Sequence, residues 1–110
     1  MGHDMGHESN AVVWTASALD DMVGVLEDLA ERYPGFERDL YEDVMASAAS
    51  LATLSERGRL VPELRDQRTR EIFVREYRVM YEVHEDRVVV VAFVFGRRDF
   101  ATWWRERSRR

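Results

Sequence analysis

The chain has no cysteine, no lysine and only two prolines in 110 residues, and no apolar run approaches the length of a membrane span. Each absence excludes something. Without cysteine there is no disulfide framework, no thiolate metal site and no thiol nucleophile, which fits a reducing cytoplasm. A bilayer-spanning helix needs about 20 apolar residues, whereas the longest run here, Val88 to Phe95, has the length of a buried strand. No charged n-region followed by an apolar h-region opens the chain, so no secretory signal is expected and a cytoplasmic location is. With a net charge of −5 the protein is not a generally basic nucleic-acid binder.

That charge is unevenly spread. Residues 1 to 54 hold 11 acids and 2 arginines, a net of −9, while residues 55 to 110 hold 10 acids and 14 arginines, a net of +4, which together give −5. Genome composition alone accounts for a missing lysine. Arginine nevertheless brings planar forks suited to bidentate contacts with phosphate or carboxylate, and these are concentrated in the second half.

Hydrophobic residues make up 45% of the chain and aromatics 11%, enough for one globular domain that buries about two-thirds of its unfolded surface. Residues 1 to 10 (MGHDMGHESN) are polar and aperiodic and read as a disordered tail ahead of a single domain at 11–107. His3 and His7 in that tail lack a third ligand and a rigid frame, so no metal site is expected. Gly2 is not a myristoylation signal, because Gly6 stands where that motif wants Ser or Thr.

A short strand at Val12 to Trp14 is followed by two amphipathic helices. The first opens on a capping-box pattern, Ser17-x-x-Asp20, and carries Leu19, Met22, Val23, Leu26, Leu29, Ala30 and Tyr33 at helical steps until Pro34-Gly35 ends it. The second places Phe36, Leu40, Tyr41, Val44, Ala48, Leu51 and Leu54 on one stripe, with Glu37, Asp39, Glu42 and Asp43 in the turns where the helix dipole favours anions. Residues 55 to 68, with Gly58, Pro62 and several arginines, read as a loop. Alternation in Ile72, Val74 and in Val79, Tyr81, Val83, then the turn His84-Glu85-Asp86-Arg87 and the apolar run to Phe95, predict a three-stranded antiparallel meander. A short helix containing Trp103 and Trp104 closes the chain. The expected class is α+β, with the helical hairpin laid on the sheet.

The wording of this half carries a resemblance. Gly58-Arg59 followed by Val61-Pro62-Glu63-Leu64, the strand Arg70-Glu71-Ile72, the run Tyr77-Arg78-Val79-Met80-Tyr81-Glu82-Val83 and the closing Arg97-Arg98-Asp99 resemble the ParE/RelE superfamily of small toxins, in the family's order and spacing, over about residues 11 to 105. The resemblance implies the RelE/ParE-like fold and a growth-inhibiting toxin of a toxin–antitoxin, plasmid-stabilisation type module. It also implies a cognate antitoxin as partner and no cofactor.

Two activities branch from that family. RelE-type members cleave ribosome-bound message by attack of a 2′-hydroxyl on the adjacent phosphate, which requires a base, an acid and cationic stabilisation of the developing charge. Arg78 and Arg98 match the family's charge-stabilising arginines, and Glu63 stands where some relatives carry a base. Where those ribonucleases carry lysines this chain has Thr69 and Glu71, and where they carry a tyrosine or histidine it has Trp103-Trp104, whose indole N–H only donates. ParE-type members inhibit DNA gyrase by binding, which needs no proton-transfer groups. The expected target-contacting residues are Arg59, Arg78, Arg97, Arg98, Trp103 and Trp104. Leu40, Val44, Ala48 and Leu51 are the residues expected to meet the antitoxin. A non-toxic interaction module with the same fold is the third reading.

Overall fold

The computed structural model describes residues 10–109. The predicted tail falls outside them, His3 and His7 included, apart from Asn10, whose N–H donates to Ala52 O at 2.9 Å.

Alternation of apolar and polar side chains builds the centre of the sheet. Strands β3 (Thr69–Val74), β4 (Tyr77–Val83) and β5 (Arg87–Phe95) form the predicted antiparallel meander. The β4–β5 hairpin turns at the predicted place, with His84 N–H donating to Arg87 O at 2.8 Å. Two flanking strands extend this meander. Here β1 (Ala11–Trp14) runs parallel to β5, and the segment read as a loop holds β2 (Arg59–Leu60), antiparallel to β3. The sheet order is β1-β5-β4-β3-β2.

Strand β5 has no alternation in its sequence because both of its faces are covered. Opposite Met80 and Tyr81 the register slips by one residue at a bulge, so that Met80 faces Ala92 while Tyr81 faces Val90. Val88, Val90 and Phe93 therefore enter one core, while Ala92 and Val94 enter the other.

Helices α1 (Ala16–Arg32) and α2 (Phe36–Ser50) cover the first face. The start of α1 differs from the expectation: Thr15, not Ser17, is the cap, its backbone extended and its Oγ1 accepting the Ala18 N–H at 3.0 Å. The cap falls there because Thr15 directly follows β1, where the backbone is still extended. Gly35, at φ 98°, reverses the chain between the helices in a conformation that side chains resist. Ala18, Met22, Leu29, Leu40, Val44 and Leu51 pack against Ile72, Val79, Tyr81 and Val90. The stripe is narrower than predicted, since Leu19, Val23, Tyr33, Tyr41 and Leu54 are exposed.

On the second face lies α3 (Phe100–Arg107), capped by Asp99, which accepts the Thr102 N–H and hydroxyl. Those hydrogen bonds, the hydroxyl's above all, hold the Asp99 carboxyl below its ordinary range. Phe100 and Trp103 close a smaller core over Val61, Met80, Ala92 and Val94.

Candidate functional site

Under α3 the sheet carries an ionic network instead of a purely apolar surface. Antiparallel register sets Glu71 of β3 beside Met80 and brings Arg78 of β4 near it on the same face. Arg78 Nε donates to Glu71 Oε1 at 2.6 Å, and its two terminal nitrogens donate to the Glu63 carboxylate at 2.7 and 3.2 Å. Arg59 Nε donates to the other Glu71 oxygen at 2.7 Å. Phe100 lies over the Arg78 guanidinium, 4.8 Å from ring centre to carbon. Arg78 and Glu71 are only 4% and 1% exposed, so this pairing is removed from solvent.

Burial alone would depress the Arg78 pKa, but the hydrogen bonds it donates to Glu63 and Glu71 outweigh it and the net direction is up. The Arg78 hydrogen bonds also hold the Glu63 carboxyl below its ordinary value. The result is two guanidiniums matched by two carboxylates, with all three Arg78 nitrogens engaged.

The loop that delivers Glu63 is braced at its far end. Asp66 accepts the Thr69 hydroxyl at 2.6 Å and the N–H groups of Arg68 and Thr69 at 2.9 Å each. The Thr69 side chain, then its backbone, lower the Asp66 pKa to about 2. Arg65 and Gln67 take positive φ values of 55° and 60° in this loop, a conformation that costs about 1 kcal/mol or more for a residue with a side chain.

A family model described as the ParE toxin of the type II toxin–antitoxin system, parDE, matches residues 12–100, from β1 to the start of α3. The chain belongs to the ParE toxin family. A solved structure described as the chromosomal ParDE TA system from P. aeruginosa aligns with a TM-score of 0.67, covering 79% of this chain and 96% of that one at 12% identity, a likeness of fold. No curated protein matches the chain.

Within this ParE-family chain the sequence-predicted residues are dispersed. Arg59, Glu63 and Arg78 meet in the network, whereas Arg97 and Arg98 lie exposed beyond the end of β5, Arg97 3.8 Å from Glu76. Trp103 is buried at 8% exposure, and Trp104 stacks on Phe100 at 5.5 Å. Leu40, Val44, Ala48 and Leu51, expected to meet an antitoxin, are 0–2% exposed. Their side chains are part of this protein's own core, so a partner approaching α2 from solvent meets Tyr41 and its exposed neighbours instead.

A second clamp had no prominent signal in the sequence. Arg107 of α3 donates to Asp21 of α1 at 3.0 Å and to Val91 O at 2.7 Å, while its guanidinium carbon sits 5.4 and 5.6 Å from the Trp103 and Trp104 rings. Asp21 also accepts the Phe93 N–H at 3.1 Å. The only sequence trace of this clamp is an arginine three and four positions after two tryptophans, the spacing that stacks them on one helix face. Among the described residues, no group of three or more His, Cys, Asp or Glu is placed to hold a metal ion, and no helix is long and apolar enough to cross a membrane.

Proposed function

We propose that this chain is the toxin of a toxin–antitoxin module, that a cognate antitoxin neutralises it, and that it arrests growth in the cytoplasm by binding DNA gyrase. The observation that carries this reading is the engagement of all three Arg78 nitrogens by carboxylates. A ribonuclease of the RelE type needs a guanidinium whose donors are free to meet charge developing on a phosphate. Here three of the five N–H donors, one on each nitrogen, already point at Glu71 and Glu63.

The proton-handling groups point the same way. Thr69 and Glu71 are buried at 3% and 1% exposure, and Trp103 is packed in the second core. Glu63 is held ionised, but both of its oxygens already accept hydrogen bonds from Arg78. General acid–base assistance contributes about 10²- to 10⁴-fold per group, so such a site is a poor nuclease. Binding to a target needs only surface, and Arg97, Arg98 and Arg105 present an exposed cationic rim near the aromatic end of α3.

Inducible expression in a bacterial host, followed by gyrase supercoiling with the purified protein, tests the proposal. Growth arrest relieved by the antitoxin, together with loss of supercoiling, supports it. Unchanged growth would favour the non-toxic interaction module. Cleavage of ribosome-bound message would favour the nuclease.

A further inference from the structure

The outer edge of β5 is covered along only part of its length. Strand β1 pairs with Arg87 to Val90 and ends there. Beyond it the edge meets side chains: Arg107 donates to Val91 O and Asp21 accepts the Phe93 N–H. Alternate residues of a strand turn their backbone groups to the same edge, so Phe93 C=O and Phe95 N–H face outward with the Phe93 N–H. They front a cavity of about 600 Å³ that opens between α1 and α3.

The α1 wall of this groove includes Asp20, Gly24 and Asp28, one helical turn apart. Gly24 weakens a helix interior, and a Cβ placed there would meet nothing within 4 Å. No packing inside the chain therefore calls for glycine at this position. What its bare surface permits is close approach by another backbone. The lining holds four carboxylates, Asp20, Asp21, Asp28 and Glu106, against two guanidiniums, Arg98 and Arg107; Asp21 is already paired with Arg107 and Asp28 with Arg32, which leaves Asp20 and Glu106 against Arg98. The excess is negative.

We propose that this groove is a strand-addition site for an extended polypeptide segment bearing arginine or lysine. The segment's backbone lies over Gly24 and pairs with the Phe93 C=O and the Phe95 N–H, and its basic side chains meet Asp20 and Glu106. Main-chain pairing supplies affinity and the alternate side chains supply selection. Nucleic acid is disfavoured, because its phosphates would face carboxylates. The inference goes beyond the gyrase reading and does not depend on it.

Panning the full-length protein against a random peptide library tests the site, with enriched peptides then measured on wild type, Gly24→Trp and the Asp20→Asn/Glu106→Gln double variant. Gly24→Trp fills the groove, while the double variant removes two of its carboxylate charges at nearly constant side-chain volume. The expected peptides alternate basic and other residues, slow hydrogen exchange at the Phe95 amide, and lose at least about tenfold in affinity in each folded variant, with weaker binding at high salt. Failure to enrich any peptide, enrichment of acidic peptides, or affinity unchanged in either folded variant overturns the proposal.

Discussion

Glu71 and Arg78, seven positions apart in sequence, meet at 2.6 Å across neighbouring strands, and neither is accessible to solvent. A buried ion pair of this kind is held in place by the cost of breaking it more than by any net gain from forming it.

Removing one partner should therefore be costly. Glu71→Ala leaves Arg78 and Arg59 without their shared carboxylate and is expected to destabilise the fold by about 3 kcal/mol. The double change Glu71→Met/Arg78→Met removes both charges and should cost distinctly less. Urea unfolding of the two variants checks the order, and a double variant at least as unstable as the single one would contradict it.

The glycines make opposite predictions. Gly58→Ala would place a Cβ 2.5 Å from Glu71 O and 2.6 Å from the Tyr81 hydroxyl, which now accepts the Gly58 N–H at 2.9 Å. A loss of about 1–3 kcal/mol is expected from overpacking. Gly24→Ala meets nothing and should stabilise α1 by about 1 kcal/mol. Thermal unfolding of both reads the two signs.

The loop brace gives a pH dependence. Asp66 falls from an ordinary 3.8 to about 2 in the folded chain, so its contribution is fully present above pH 3.8 and is lost as pH drops towards 2. Thermal melts of wild type and Asp66→Asn should differ most above about pH 4 and converge near pH 2. A gap that widens on acidification would contradict the assignment.

The clamp on α3 is also testable. Arg107→Ala removes the cationic clamp on Asp21, whose side chain is only 4% exposed, and should cost about 3 kcal/mol. Exchange at the Phe93 amide should quicken, because its acceptor is no longer held in place. Hydrogen-exchange NMR measures this directly.

What was legible in the sequence followed local periodicity. The meander, the helical hairpin and the turn at His84 were visible because alternation and helical spacing are properties of neighbouring residues. The parallel pairing of β1 with β5 was hidden, since its partners are some 76 positions apart, Ala11 with Arg87. The same limit concealed the network, whose four members come from β2, β3, β4 and a loop and become neighbours only through strand register. Leu40, Val44, Ala48 and Leu51 show a different ambiguity: an apolar helical stripe looks the same whether a partner covers it or the protein's own sheet does. The cap at Thr15 is masked in the sequence because Ser17, two residues on, offers the better-known capping pattern.

On the proposed reading, this ParE-family chain acts by binding and its buried arginine is structural. The most direct measurement offers the purified protein both targets in parallel, gyrase with relaxed plasmid and translating ribosomes with labelled message. The prediction is inhibited supercoiling with the message left intact. Codon-positioned cleavage that disappears in Arg78→Ala, with supercoiling unaffected, would contradict it.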